Sequence, residues 1–490
     1  MAKHDTTRTQ CYLGLRKLVS RAGISTRIVV LATGVMLVPG CHSGPRKMDS
    51  IPAGPTRTSE RSSTAAISQV AFQENVEADI QFDGAELTDL DSLIATALAT
   101  HPAIAAAEHK VAAARHRIPQ ATALSDPMLG NTFWPIHNQA LQTAAGRVGH
   151  QFSLTQNVPW PEKRDALGAV ATREVQVAMA ELDRTKNEIV EAVRLAYYDL
   201  WLAGELIRVV DENSELVGDL ISIAEARYRT GGSRRDILRA ELENDRLADQ
   251  LIELRKQQEH SRAALGELVR QPTNFVPEPA RDLQIDDALP ELELTIADAE
   301  QCNPTLRGIA AEVARDRAKE SLACLQQYPD FQLGLGYGIV SDNDDVISPV
   351  ANGHDNINFS IGVTLPIWRE KINAGVGEAA HIRRSTSLRH EAESDRLRSQ
   401  LRRQIADAYA ALEQLELYRD RLIPRTLQTL EITTADYQGE KADFTDVVDI
   451  YRELLLLHTQ VARSKAKIAS ALARIDRSVG CSLGCSQSVY

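Results

Sequence analysis

The sequence predicts a mainly α-helical chain with a transmembrane β part: long antiparallel coiled-coil helices, four short strands contributed to a shared barrel, and an internal tandem duplication. Three observations predict it. Apolar residues recur every seven positions over about eight heptads without an intervening proline. The period drops to two ahead of each long hairpin. Landmarks of the first half return 202 to 209 residues later.

Composition sets the bounds. The chain has 490 residues, 43% of them apolar, 25% charged and 5% aromatic, with six cysteines. That excludes a disulfide-stapled miniprotein and a wholly disordered chain. Acidic residues outnumber basic ones by 67 to 55, and no Lys/Arg block with interleaved aromatics tracks a phosphate backbone, so nucleic acid is not an expected partner. Beyond the N-terminus no stretch approaches the roughly 18 to 20 apolar residues of a membrane-spanning helix.

Residues 1–40 read as a lipoprotein-type signal peptide. Lys3, Arg8, Arg16, Lys17, Arg21 and Arg27 precede an apolar core, Ile28 to Val38, too short to span. The core ends in Val38-Pro39-Gly40-Cys41, which resembles a lipobox and makes Cys41 the expected lipidation site. Loss of the signal would leave 49 basic against 66 acidic residues, a formal charge of −17. Residues 41–85, rich in Ser, Pro, Gly and Thr up to about residue 72, hold too little apolar content to offset ordering entropy and read as a flexible tether. Two repeats follow, 86–280 and 281–480, and then a tail, 481–490.

One seam of the first long helix runs through Val175, Leu182, Ile189, Ala196, Ala203, Val210, Val217 and Ala224, and a second through Met179, Val193, Leu200, Ile207, Ile221 and Tyr228. With no proline after Pro161, the helix would run on the order of 100 Å at about 1.5 Å per residue. It stops at Gly231-Gly232, where Ser233 can cap the return helix. The second half repeats the layout over 367–437, turns at Tyr437-Gln438-Gly439 and returns through Val447, interrupted only by Pro424.

Three strands carry a clear alternation. In 148–158 the apolar row includes Phe152 and Leu154. Phe331, Leu333 and Leu335 continue it in the third strand, and Phe359, Ile361 and Val363 in the fourth. Gly, Ser, Thr, Asn and Gln fill the opposite row. A half-buried soluble sheet gives the same alternation, but strands of about 9 to 11 residues with small polar residues opposite the apolar row fit a barrel wall whose apolar row faces lipid. The remaining strand, 126–135, is weakly patterned and is placed mainly by symmetry. Four strands cannot close a barrel, and an open edge in lipid strands backbone groups, so more than one chain is required.

The duplicated order, the strand-exit prolines, the Tyr-x-x-Gly and Tyr-x-Gly tips and the following Asp236-Ile237-Leu238 and Asp446-Val447-Val448-Asp449 resemble the TolC family of bacterial outer-membrane efflux proteins. The resemblance implies a homotrimer with a 12-stranded outer-membrane barrel, and twelve long helices forming a periplasmic α-barrel. It further implies an adaptor protein and an inner-membrane pump as partners. Asp126-Pro127-Met128-Leu129-Gly130 and Pro159-Trp160-Pro161-Glu162-Lys163-Arg164 resemble the branch that serves divalent metal cation exporters. It also implies a periplasmic gate: an aspartate constriction at Asp446 and Asp449, with Tyr437 and Asp236 locking neighbouring helix pairs. The family's basic locking residue falls near Ala442, so Lys441, Arg234 or Arg235 is its expected substitute.

No phosphate-binding loop, Gly-x-Ser-x-Gly or His-Glu-x-x-His occurs, and His109 and His116 lie about 10 Å apart along a helix, too far to share a metal. No enzymatic activity and no cofactor are expected. Two other readings compete with a passive exit duct. A periplasmic adaptor should show one hairpin within Gly-rich β domains, and a structural coiled-coil lipoprotein leaves the strands unexplained.

Overall fold

The computed structural model describes residues 90–135, 141–143, 145–279, 282–283, 289–342, 350 and 353–481. The signal, Cys41, the tether and most of the tail lie outside them. The first half runs α1 (Leu90–Thr100), α2 (Pro102–Thr122), β1 (Met128–Phe133), β2 (Leu141–Thr143), β3 (Gly146–Val158), α3 (Pro161–Arg229) and α4 (Arg234–Val269). The second runs α5 (Leu292–Cys302), α6 (Pro304–Leu325), β4 (Phe331–Ser341), β5 (Asn356–Val363), α7 (Arg369–Leu417), a π-turn (Tyr418–Leu422), α8 (Ile423–Gln438) and α9 (Phe444–Val479).

Apart from the short β2, a strand beyond the four expected and without a counterpart among the described residues, the order recurs, and so do its local causes. His101 and Asn303 each cap a helix that begins with proline: the His101 side chain accepts from the Ala103 N–H at 3.2 Å and Asn303 from the Leu306 N–H at 3.0 Å. Proline's missing N–H costs nothing at that position. At the first tip Gly231 takes φ +111° and Ser233 accepts from the Arg235 N–H. At the second tip the left-handed residue is Glu440, at φ +61°, rather than the adjacent glycine.

The long helix α3 is 69 residues, unbroken as its sequence predicts. Of its two seams, Val175, Val193, Ala196, Leu200, Ala203, Val210, Val217 and Ala224 are buried and Ile207 and Ile221 half-buried, whereas Met179 and Tyr228 are exposed. Its counterpart is not continuous. Pro424 has no N–H for a helical bond to Asp420, and the turn ahead of it widens so that the Ile423 N–H reaches the Tyr418 carbonyl, five residues back. The prediction placed the break at Pro424, and the distortion falls on the five residues preceding Ile423.

The strands form one antiparallel sheet in the order β1-β3-β4-β5, with the short β2 pairing onto β3. The weakly patterned strand does pair, from Met128 opposite Thr155 to Phe133 opposite His150. Residues β1 and β5 contribute at the sheet's two edges have no partner strand among the described residues. Four apolar clusters hold the helices together: one around Leu200 and Leu265, one around Leu401 and Ile475, one at the tips, and a smaller one around Leu415 and Ile468. The third unites the two halves through Val210, Val217, Leu247, Val447 and Tyr451.

Candidate functional site

Two regions separated by the length of α3 carry the residues of interest. At the sheet end the register aligns one row across all four main strands: Leu129, Leu154, Leu335 and Phe359 face each other in sequence. Leu333 stands opposite Ile361, and Phe331 opposite Val363. Phe359 is 82% and Ile361 75% exposed, and Phe152, Leu154, Leu333, Leu335 and Val363 are exposed as well. Phe331 departs from this set. It is half-buried because its ring stacks 6.1 Å from that of Trp160 at the strand exit.

The reverse face is polar and close-set. A Cβ at Gly334 would lie 2.2 Å from Ser360 Oγ, and one at Gly336 2.4 Å from Asn358 Oδ1. Those bare positions leave room for the neighbouring strand's polar side chains. An apolar row left exposed on one face, with a polar row behind it, is the reverse of a soluble sheet packed on its own core.

The strand exit of the first half is tied down. Lys163 is only 5% exposed, and its ammonium donates to the Tyr328 carbonyl at 2.9 Å and to both Asp330 oxygens at 2.9 and 3.0 Å. Asp330 Oδ1 also accepts from the Trp160 N–H at 2.9 Å, while Trp160 stacks on Tyr328 at 5.3 Å. The Pro159–Arg164 motif thus joins the two halves where sheet meets helix.

At the tip, Tyr437 near the end of α8 is buried, and its hydroxyl donates to Asp236 Oδ2 at 3.1 Å. Asp236, in the first turn of α4, is itself buried. The Phe444 ring lies 5.3 Å from Tyr437, and the Arg227 guanidinium sits 4.2 Å above the tyrosine ring. Burial first, and then the Asp236 carboxylate, push the Tyr437 hydroxyl up, with Arg227 acting the other way. The tyrosine stays a neutral donor throughout the neutral range.

Asp446 and Asp449 are both exposed, one turn apart on α9. Asp446 closes a capping box, its Oδ2 accepting from the Asp443 N–H at 3.3 Å while the Asp443 side chain accepts from the Asp446 N–H. Asp449 accepts from Arg452 Nη1 at 3.2 Å. Arg452 also grips Glu243 on α4, and Arg246 reaches Glu243 at 2.5 Å. Burial opposes ionisation of Glu243, but the two arginines more than offset it and hold its carboxyl below the usual range.

Residues 93–269 match the model of the outer membrane efflux protein family. Over that stretch the chain is similar to the outer membrane efflux proteins. Among solved structures, the outer membrane protein VceC from Vibrio cholerae superposes with a TM-score of 0.67 at 17% identity, covering 80% of this chain and 96% of that one. CusC, described with a transmembrane channel, gives 0.66 at 14% over 82% and 96%. The open-state MtrE outer membrane channel of Neisseria gonorrhoeae gives 0.63 at 15% over 80% and 89%. No curated protein matches the sequence.

As an efflux-protein fold, the chain brings Tyr437 and Asp236 into contact, and sets Asp446 and Asp449 beside them on the same tip. The basic partner differs from the expectation. Arg227, rather than Lys441, Arg234 or Arg235, covers Tyr437, since it lies a turn before the first tip and points back across the hairpin. Only pairing across more than 200 residues reveals it. Arg239, which donates to Thr445 Oγ1 at 2.5 Å, is a second bridge between the halves that the sequence does not announce. Among the described residues no group of three His, Cys, Asp or Glu side chains is placed to hold a metal ion.

Proposed function

We propose that the chain is the outer-membrane exit duct of a tripartite efflux system, passively conducting what an inner-membrane pump and a periplasmic adaptor deliver. The observation that carries this reading is the sheet: one face apolar and exposed along four strands, the other polar, with two edges that leave backbone groups to be satisfied. Lipid on the apolar face and neighbouring copies at both edges meet those demands together. Three copies supply twelve strands, enough for a lumen wider than side chains fill. The helical hairpins then extend from the barrel as the duct's long wall. The tip cluster of Tyr437, Asp236 and Arg227, beside Asp446 and Asp449, is read as the gate. Resemblance of the Asp126–Gly130 and Pro159–Arg164 motifs extends the proposed cargo to divalent metal cations, to be tested by loss of metal tolerance on deletion of the gene.

The duct is tested by fractionation and conductance. The full-length protein should enter the outer-membrane fraction as a heat-resistant oligomer and open ohmic channels in planar bilayers. A monomer in the soluble periplasmic fraction would overturn the reading in favour of an adaptor. An oligomer that never conducts would favour a structural lipoprotein.

A further inference from the structure

The two helix-to-strand entries of the sheet, 123–127 ahead of β1 and 326–330 ahead of β4, are held alike on one side and differently on the other. On the first side each is fastened by the end of the strand that comes next in the sheet. The Ser125 hydroxyl donates to the Asn157 carbonyl at 3.4 Å and Gln156 Nε2 to the Ser125 carbonyl at 2.6 Å. In the second half the Thr364 N–H donates to the Asp330 carbonyl at 2.9 Å and the Asp330 N–H to Thr364 Oγ1 at 2.7 Å. Asn157 and Thr364 correspond at the repeat offset of 207, each two residues before a proline. On its other side the second entry receives the β3–α3 exit. Trp160 stacks there on Tyr328 and Phe331, its N–H meets Asp330, and Lys163 is buried against the same carboxylate. The first entry lies at the sheet's edge, with Asp126, Met128 and Leu129 exposed and Asp126 in no ion pair among the described residues.

The piece that would fill it recurs at the opposite edge. Trp160-Pro161-Glu162-Lys163 returns 208 residues later as Trp368-Arg369-Glu370-Lys371, and Trp368 stands at the start of α7 as Trp160 does at the start of α3. Within one chain this second copy of the motif has no seat: Trp368 is 74% exposed, its N–H meets no acceptor and Lys371 meets no carboxylate among the described residues. Glu370 beside Lys371 is no obstacle, because exposed Glu162 stands beside Lys163 in the same way and Lys163 still turns to Asp330. The first entry offers matching groups. Pro127 aligns with Pro329 at the offset of His101-Pro102 and Asn303-Pro304, which sets Leu129 where Phe331 stands. Asp126 precedes its proline whereas Asp330 follows one, and it is the one acid in the sequence between Glu108 and Glu162.

We propose that the β5–α7 exit of one copy docks on the α2–β1 entry of the next, Trp368 packing on Met128 and Leu129 and Lys371 pairing with Asp126 of the neighbouring copy. The contact that joins the halves within a chain is thereby repeated between chains, a proposal that rests on the barrel reading above. A second copy is selected as the occupant because indole and cation at one edge lack what carboxylate and apolar seat at the other edge supply. The two surfaces differ, so the interface is heterologous, and a closed ring satisfies every copy.

The test uses the full-length protein with Asp126→Cys in a copy bearing one tag and Lys371→Cys in a copy bearing another, co-expressed and treated with a short bifunctional thiol reagent. A covalent dimer carrying both tags is expected on a denaturing gel, and neither substitution expressed alone should give it. A charge swap reads the same pair without added cysteines. Asp126→Lys or Lys371→Asp alone should lower the temperature at which the oligomer dissociates, and the two in one chain should restore it, because each copy then meets the complementary charge of the next. Losses that merely add, or single variants as heat-resistant as wild type, would overturn the pairing. A heat-resistant, conducting oligomer of the cysteine variants that yields no two-tag dimer would overturn the docking and leave the duct reading in place. A wild-type protein that neither oligomerises nor conducts would overturn the barrel reading and this proposal with it.

Discussion

At the sheet end the large apolar side chains stand exposed on one face and small polar ones fill the other; at the tip the order is the ordinary one. Phe359 and Ile361 stand almost fully exposed, whereas Tyr437, Phe444 and Tyr451 are buried and the charged residues around them are paired. The same chain thus follows opposite rules some 100 Å apart, by about 1.5 Å per residue along the 69 residues of α3. On the exit-duct reading, what differs is the solvent each end is built for. Lipid makes exposed Leu and Phe favourable, and water requires that carboxylates and guanidinium groups face it or face each other.

The sharpest way to break that contrast is to put a charge on the sheet's apolar row. Phe359→Arg or Ile361→Arg should cost about 2 to 4 kcal/mol if the row lies near a bilayer midplane. Ser360→Arg, on the opposite face, should leave assembly intact and alter conductance. Urea unfolding of the reconstituted oligomer and single-channel recording separate the two. Equal damage from all three would mean that both faces pack against protein.

The junction between the two regimes comes next in size. Asp330→Ala would leave the Lys163 ammonium buried without its counter-charge. A fully buried pair broken this way costs about 3 to 5 kcal/mol; since the Asp330 side chain keeps 40% of its exposure, about 2 to 3 kcal/mol is expected. Lys163→Met, which removes the charge together with its demand for a partner, should cost less. The reverse ranking, read from thermal unfolding, would show the pair to be incidental.

At the tip, acid should act through Glu243. Its folded-state pKa is depressed from the ordinary 4.5, so its contribution is complete above that value and is lost as the pH falls through the lower, folded one. Glu243→Gln should remove about 1 to 2 kcal/mol at neutral pH, discounted because Arg452 is half exposed, and should flatten the acid limb of the stability curve. The apolar row of the sheet should show no such limb. An unchanged limb in the variant would assign the acid sensitivity to other carboxylates.

How much of this was legible follows from the range of the interactions. Strands β3, β4 and β5 are written in period two, and α3 in its heptads and its missing prolines, because both signals are local. β1 is not, since its pairing is supplied by β3 and its own alternation is poor: Met128 falls on the polar face opposite Thr155. The π-turn was half legible, Pro424 marking a break but not the residues that absorb it. Tyr437 and Asp236 were picked out by family resemblance. Arg227 carried no local mark, because its meaning depends on a tyrosine 210 positions away in the sequence. Lys163 is the same case: a lysine in a motif reads as exposed until Asp330 is seen beside it.

The smallest expected effect on stability is the most informative about function. Tyr437→Phe deletes the hydroxyl that reaches Asp236 but keeps the ring under Arg227 and beside Phe444, so packing survives and about 1 kcal/mol of hydrogen bonding is lost. If this contact holds the tip closed, conductance in planar bilayers should rise while the oligomer stays intact. Arg227→Gln should act in the same direction, because it removes the cation that stacks on the ring; Arg234→Gln should not. The carboxylates ask a separate question. Asp449 is partly neutralised by Arg452, whereas among the described residues the Asp446 side chain meets only the Asp443 N–H, so Asp446 is expected to be the stronger attractor of cations if copies of the tip converge. Asp446→Asn should therefore relieve block by a multivalent cation more than Asp449→Asn does, and the double substitution should abolish it. Block that persists in the double variant would place the constriction elsewhere along the duct, and the contrast between the two ends would then be one of solvent alone.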